Sequence, residues 1–110
     1  WPGLAAAFAP QGYADIPYQD IKDRLWFCQS LEAVRAMEEG VIESVGDGNI
    51  GSIMGIGAPV WTGGLLQFVN TYGYPRFVAR CADLAERYGD RFAAPQIALE
   101  RAAQAQQQAA

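Results

Sequence analysis

Few side chains in this 110-residue sequence could carry acid–base or nucleophilic chemistry, because the chain contains no histidine. Without an imidazole it cannot build a Ser-His-Asp or Cys-His system, an HExxH zinc site or a histidine general base. The two cysteines, Cys28 and Cys81, match no CxxC or metal-ligand spacing. We interpret both as small buried thiols on helix faces, with a disulfide between them as the alternative.

Carboxylates and arginines are the remaining candidates. Paired carboxylates can act as acid and base where burial separates their pKa values. Four acids surround a predicted helix end and its turn, where a solvated surface is the favoured interpretation: Glu38, Glu39, Glu43 and Asp47. Arg76 and Arg80, one helical turn apart, could bind an anion such as phosphate. Their helix also carries acids, so surface ion pairs are favoured for these arginines, with Asp83 and Glu86.

The segment GDGNIG at 46–51 matches the GxGxxG pattern of dinucleotide-binding turns. Such a turn needs a strand before it, a helix after it and an acid about 20 residues further on. No acid occurs between Gly48 and Ala82, and no βαβ pattern surrounds the segment. We therefore interpret its glycines as turn and helix-cap residues and predict no cofactor site in this chain. A net charge of −4 and a single lysine likewise argue against nucleic-acid binding.

The elements that must position these residues are helical. Apolar residues recur at steps of three and four across 17–39 and predict an amphipathic helix. Its predicted buried stripe consists of Ile21, Leu25, Cys28, Leu31, Val34, Met37 and Val41. Further helices are predicted over 49–54 and 65–72, and from Pro75 and Pro95 onwards. With no period-two alternation of a strand, the sequence predicts an all-α domain of about five helices over 17–110. A lead-in or linker over 1–16, with one short turn near Leu4 to Phe8, precedes it.

The middle of the chain, residues 48–75, contains no charged side chain and seven glycines. A membrane span needs about 20 predominantly apolar residues, and the glycine and polar content argues against one here. Because exposed loops are usually polar, we expect this segment to pack against another domain or subunit. The candidates for that contact are Ile56, Pro59, Trp61, Thr62, Leu66 and Phe68. For the aromatic residues three interpretations stay open, namely the core, an interdomain contact or a slot for an apolar ligand: Trp26, Phe27, Trp61 and Phe68.

Three segments in this order carry a family resemblance: DRLWFCQSLEAVRAMEEGV, DGNIGSIMGIGAPVWTGGLLQFVN and RFVARCADLAERYGDRFAAP. Together they resemble the C-terminal helical domain of 3-hydroxyacyl-CoA dehydrogenases, whose architecture is that of the 6-phosphogluconate dehydrogenase C-terminal-like helical domains. More closely, they are similar to the second copy of that domain in multifunctional fatty-acid β-oxidation enzymes. The resemblance covers about Tyr18 to Pro95, and Trp1-Pro-Gly-Leu is similar to the linker before this copy.

The resemblance implies a longer parent polypeptide with an enoyl-CoA hydratase half, an NAD-binding domain and two helical domains. The parent would be an NAD-dependent oxidoreductase of lipid metabolism that converts a 3-hydroxyacyl-CoA to the 3-ketoacyl-CoA. The family's catalytic His and Glu lie on the nucleotide-binding domain, so no catalytic, cofactor-binding or metal-binding residue is expected here. Asp23 stands where the family has an Asn at the cleft, and this difference implies a structural role for Asp23.

The expected role of this chain is therefore a non-catalytic brace of the acyl-CoA and NAD cleft. It would be inactive alone and contact the preceding NAD-binding and first helical domains, and a cytoplasmic location is expected. The alternative is a stand-alone helical interaction module that self-associates through residues 48–75. A carrier that binds an apolar ligand among its aromatic side chains is a third, weaker hypothesis.

Overall fold

Helices account for the regular structure of residues 1–7 and 15–109, the part of the chain that the computed structural model describes. They are α1 (Gly3–Ala7), α2 (Tyr18–Glu38), α3 (Val45–Ile56), α4 (Leu65–Tyr72), α5 (Tyr74–Tyr88) and α6 (Gln96–Ala109), with short 3₁₀ turns at Val60–Thr62 and Asp90–Phe92. No strand occurs within these residues. The all-α prediction with about five helices is confirmed, since α1 is a single turn within the lead-in. The predicted turn near Leu4 to Phe8 corresponds to α1, except that Phe8 lies outside the described residues.

Local sequence signals explain where the helices begin and end. The Ser44 side chain caps α3, because its Oγ accepts a hydrogen bond from the Asp47 backbone N–H at 3.1 Å. Gly57 ends α3 with a φ of 74°, a left-handed conformation that glycine adopts without a steric penalty. Pro75 occupies the first turn of α5, where its missing N–H costs nothing. These signals set both ends of α3 and the start of α5. The start of α5 agrees with its prediction, whereas α3 extends beyond the predicted 49–54 at both ends.

Helix α3 corrects the interpretation of GDGNIG as a turn. The Ser44 cap starts the helix at Val45, so Gly46, Gly48 and Gly51 all lie inside a helix. The preceding Glu43 and Ser44 have no regular structure and form no strand, so the strand–turn–helix arrangement of a dinucleotide-binding turn is not formed. Gly48 serves packing instead, because a Cβ atom there would lie 2.5 Å from a Leu66 methyl group.

The hydrophobic core lies between α2, α4, α5 and α6. The stripe predicted for α2 is correct at its centre, where Leu31 and Val34 are buried. It is wrong towards its ends, because Ile21, Leu25 and Cys28 are exposed near the start of the helix and Val41 lies beyond its end and is 74% exposed. The residues that α2 buries are Asp20, Asp23, Phe27, Ser30, Leu31, Ala33 and Val34. This neighbouring stripe has the same spacing, and α2 turns it inward because Asp20 and Asp23 bind arginines of α5.

Two glycine-to-alanine substitutions should change stability in opposite directions. Gly64 has a φ of 108°, and a Cβ atom there would lie 2.5 Å from the Asn49 Cα, so Gly64→Ala should destabilise by about 1–3 kcal/mol. Gly51 lies inside α3 with no atom within 4 Å of an added Cβ, so Gly51→Ala should stabilise by about 0.5–1 kcal/mol. Urea unfolding of both variants measures these changes. Equal effects of the two substitutions would contradict the described conformation at Gly64.

Candidate interaction surface

The six residues predicted to contact a partner divide into an exposed and an inward-facing set. Ile56, Pro59 and Trp61 face outward, with Ile56 67% and Trp61 78% exposed. Thr62 and Leu66 are buried at 8% and 1% exposure, and Phe68 is half-buried against the core. Leu66 on α4 and Thr62 in the 3₁₀ turn before it are thus interior residues of this chain. The exposed set is accessible on the surface of this chain for a contact with another domain or subunit.

The loop that carries Trp61 is tied down by hydrogen bonds. The Thr62 hydroxyl donates to the Pro59 carbonyl at 2.7 Å and accepts from the Gly64 N–H at 3.1 Å. The Ser52 hydroxyl of α3 accepts from the Leu65 N–H at 3.1 Å, and the Asn49 carboxamide oxygen accepts from the Gln67 N–H at 2.9 Å. These bonds fix the first turn of α4 to α3. Trp61 is therefore presented on a preorganised loop.

Aromatic rings connect this exposed tryptophan to the interior. The Trp61 ring meets the edge of Trp26 at a centroid distance of 5.6 Å, and Trp26 stacks on Phe68 at 5.1 Å. Phe68 in turn meets Phe27, which stacks on Phe77 at 4.6 Å. The rings pack directly against one another. Of the three interpretations, the core describes Phe27, and only Trp61 is exposed enough to reach a partner.

A cluster of charges joins α2 to α5, and this cluster was not predicted from the sequence. The Arg80 guanidinium donates to Asp20 at 2.6 Å and to Asp23 at 2.8 Å, and it also pairs with Asp83. Arg87 pairs with Asp20 and Asp83. The predicted pairing of Arg80 with Asp83 is formed, but its main partners come from the distant helix α2. When acids lie on one helix and arginines on another, the sequence does not show which of them will pair.

The second predicted arginine of α5 makes a different kind of contact. Arg76 lies with its guanidinium over the Tyr72 ring, 5.2 Å from the centroid, rather than beside Arg80 on an anion. Since the Arg80 guanidinium is already engaged by carboxylates, the two arginines form no joint anion site.

Glu38, from the predicted acidic cluster, accepts a hydrogen bond from the Ile97 N–H at 2.8 Å and so holds the start of α6 against α2. At least one of the four predicted acids, Glu38, therefore makes a structural contact within the fold.

The protonation of these groups follows from their contacts. Hydrogen bonds from the Tyr88 hydroxyl and from Arg80 lower the pKa of Asp20 to about 2. Burial opposes the charge of Arg80, but its hydrogen bonds to Asp20 and Asp23 outweigh this and raise the pKa of the guanidinium. A carboxylate with so low a pKa is a poor general base near neutral pH. The cluster therefore holds two helices together and offers no acid–base pair.

The cysteines differ from each other, and neither forms a disulfide. Cys81 is buried in the core, and burial raises the pKa of its thiol to about 12. Cys28 is exposed, so its predicted burial is wrong. It lies on the predicted stripe of α2, whereas α2 buries the neighbouring stripe.

Among residues 1–7 and 15–109, no three or more His, Cys, Asp or Glu side chains are grouped so that they could hold a metal ion. In the same ranges, no helix is long and apolar enough to cross a membrane.

Comparisons with known proteins find relatives that are named for fatty-acid oxidation. No protein-family model matches the chain. Over 71 residues, or 64% of its length, the chain is 44% identical to the fatty acid oxidation complex subunit alpha of Vibrio vulnificus (strain CMCP6). It is 48% identical over 62 residues, or 56% of its length, to the subunit of that name from Shewanella frigidimarina (strain NCIMB 400). The corresponding protein of Vibrio parahaemolyticus serotype O3:K6 (strain RIMD 2210633) is 41% identical over 71 residues.

These matches cover only 9% to 10% of each relative, so the chain spans about a tenth of the length of the curated relatives it matches. They confirm the resemblance to a multifunctional fatty-acid oxidation enzyme. The chain is thus similar to a small part of much longer subunits.

Proposed function

We propose that this chain is a non-catalytic C-terminal part of an NAD-dependent 3-hydroxyacyl-CoA dehydrogenase of fatty-acid oxidation. In this role it braces the domains that enclose the acyl-CoA and NAD cleft of the parent polypeptide. The similarity to fatty acid oxidation complex alpha subunits supports the enzyme class. The observation that carries the bracing role is Trp61, which is 78% exposed but anchored through Trp26 to the core.

The residues of the chain support a role without chemistry. There is no histidine in the sequence, and two of the most buried acids are held by arginine. Asp23, which stands at the position of the family's cleft Asn, accepts hydrogen bonds from Arg80 at 2.8 Å and from the Gln19 side chain at 2.7 Å. It is 7% exposed and contacts α5 rather than an open cleft. A group held in this way links helices and does not reach a substrate.

The exposed apolar residues support a contact with a neighbouring domain. Val60 is 74% exposed beside Trp61, and Ile56 at the end of α3 is 67% exposed. Buried tryptophans often dominate the binding energy of an interface, and a preorganised loop loses little conformational entropy when it binds. The hydrogen bonds of Thr62 provide that preorganisation here. We therefore assign the brace to the surface of Ile56, Pro59, Val60 and Trp61, and we call it the Trp61 surface.

Two measurements test this proposal. The 110-residue chain alone should produce no NADH from NAD and a 3-hydroxyacyl-CoA, and turnover would contradict the assignment. In the parent polypeptide, Trp61→Asp should lower the temperature at which dehydrogenase activity is lost, because the Trp61 surface no longer packs on its neighbour. Leu99→Asp, at a 41% exposed position of α6, is the control and should leave that temperature nearly unchanged. An equal effect of both variants would argue against the assigned surface.

Further exposed apolar residues within 48–75 support the alternative, a stand-alone module that associates with itself. Ile50 is 65% and Met54 81% exposed. The reading frame upstream of Trp1 separates the two functions, since the dehydrogenase requires a GxGxxG nucleotide-binding unit and a catalytic His and Glu encoded there. A start codon immediately before Trp1 would exclude the proposed parent enzyme and leave the module.

A further inference from the structure

An apolar groove lies between the outer face of α2 and the 3₁₀ turn Asp90–Phe92. It encloses about 390 Å³, within the size range of small-molecule sites, and Ile21, Leu25 and Phe92 supply its apolar lining. Phe92 is buried, whereas Ile21 is 43% and Leu25 64% exposed. The part of the α2 stripe that the core leaves uncovered therefore borders a groove of ligand size.

The turn that forms one wall of this groove is held against α2 by hydrogen bonds. The Arg35 guanidinium donates to the Arg91 carbonyl at 2.9 Å and to the Ala93 carbonyl at 3.1 Å. Between these two residues, the Phe92 side chain is anchored in the hydrophobic core. The groove is therefore formed before a ligand arrives, and binding costs little conformational entropy of the chain.

The charged side chains that line the groove, Arg24 and Arg91, are both basic. Within residues 1–7 and 15–109, neither forms a salt bridge, although the chain has 12 acids for 8 basic residues. Three other arginines each pair with at least one carboxylate: Arg35, Arg80 and Arg87. Two uncompensated guanidinium groups beside apolar surface favour an anion that carries an apolar group.

An aromatic ring holds Arg24 beside the groove. The Arg24 guanidinium lies over the Tyr88 ring, 4.4 Å from the centroid. A contact with a ring face is not a hydrogen bond, so the N–H donors of the guanidinium stay available to an anion. Gln29, which also lines the groove, offers a further amide N–H donor. An anion can therefore bind here without breaking an existing ion pair.

We propose that this groove, which we call the Arg24 groove, binds an alkyl carboxylate. The carboxylate accepts hydrogen bonds from Arg24 and Arg91, and the alkyl chain covers Ile21 and Leu25. A carboxylate suits arginine because the planar guanidinium can donate two parallel hydrogen bonds to it. The larger groove between α2 and α3 does not suit this ligand, since its charged lining residues are all acidic. The proposal is independent of the proposed enzyme function, because the Arg24 groove contains no residue of the Trp61 surface.

Octanoate is the probe that tests this site on the 110-residue chain, with binding followed by nitrogen-15 NMR. It should shift the backbone signals of Leu25 and Arg91 with a Kd below about 1 mM. The uncharged 1-octanol has the same chain length and should bind at least about tenfold more weakly, because it cannot form charge-assisted hydrogen bonds with two arginines. A Kd for octanoate above about 1 mM overturns the proposal, and so does equal affinity for the two probes.

Single substitutions test the role of the two arginines. Arg24→Gln and Arg91→Gln should each weaken octanoate binding at least about tenfold. The matched control is Arg76→Gln, because Arg76 also lies over a tyrosine ring but is on α5, outside the Arg24 groove. This control should keep the affinity of the unsubstituted chain. An equal loss of affinity in Arg76→Gln and Arg24→Gln would contradict the assigned site.

The Cys28 thiol gives a second readout that needs no substitution. Cys28 is exposed and lines the Arg24 groove, so bound octanoate should slow its alkylation by iodoacetamide, whereas 1-octanol at the same concentration should not. Cys81 is the internal control, since burial raises the pKa of its thiol to about 12 and should keep it unreacted in the folded chain. Saturating octanoate that leaves the alkylation rate of Cys28 unchanged would also overturn the proposal.

Discussion

Phe27→Ala is expected to lower the free energy of unfolding by about 3–5 kcal/mol, the cost of removing a large aromatic side chain from a packed core. Phe27 is fully buried and stacks on Phe77, and it meets Tyr72 edge-on at a centroid distance of 5.3 Å. The cavity left behind would lie between α2, α4 and α5, where the surrounding rings cannot collapse into it. Urea unfolding followed by far-ultraviolet circular dichroism measures the loss.

Leu25→Ala is the matched control for this prediction. Leu25 lies on the same helix and belongs to the stripe that the sequence predicts to be buried, but it is 64% exposed. A substitution at such a site should change the free energy of unfolding by less than about 0.5 kcal/mol. A larger loss for Leu25→Ala than for Phe27→Ala would mean that α2 is rotated relative to the described structure.

Arg80→Met is expected to lower the free energy of unfolding by about 2–3 kcal/mol at pH 7, because it leaves the buried Asp23 without a charged partner, while Asp20 keeps Arg87. The Arg80 side chain is 18% exposed and neutralises Asp20 and Asp23, whose side chains are 5% and 10% exposed. Methionine keeps the apolar part of the arginine side chain, so the loss reports mainly the charge. Arg76→Met, at an exposed position one turn earlier, should cost less than about 0.5 kcal/mol.

The pH dependence of stability gives this prediction a second readout. In the folded chain the pKa of Asp20 is about 2, below its ordinary value of 3.8. A carboxylate with a lowered pKa stabilises the fold above its ordinary pKa, and this contribution is lost as the pH falls towards 2. The difference in the free energy of unfolding between the unsubstituted chain and Arg80→Met should therefore shrink as the pH falls from 4 to 2. A difference that stays constant over this range would contradict the ion pairing.

Helix positions were largely predictable because their signals are local. Pro75, Pro95 and Gly73 act on the adjoining backbone, so they can be recognised without tertiary information. Helix α4 occupies the predicted residues 65–72. Helix α3 begins four residues before its predicted start, because GDGNIG was interpreted as a turn although glycines inside a helix are tolerated where a neighbour packs closely.

The orientation of the helices was not predictable in the same way. Two adjacent stripes of α2 have spacings of three and four, and hydrophobicity alone favoured the one that contains Ile21 and Leu25. The structure buries the other stripe, because Asp20 and Asp23 meet arginines that lie 57 to 67 positions away in the sequence. Sequence spacing along one helix contains no information about such a distant partner.

The candidate site divides along the same line. The uncharged segment 48–75 indicated a contact region, but only the tertiary structure separates the exposed Trp61 from the buried Leu66 within it.

The sequence by itself determined the all-α fold, most of the helix positions, the absence of a histidine-based site and the resemblance to fatty-acid oxidation enzymes. These features depend on residue identity and short-range spacing, which can be read directly from the sequence. Only the tertiary structure decided which stripe of α2 is buried and that Arg80 binds two acids of a distant helix. Those features depend on which surfaces meet, and this follows from packing and ion pairing between helices far apart in the chain.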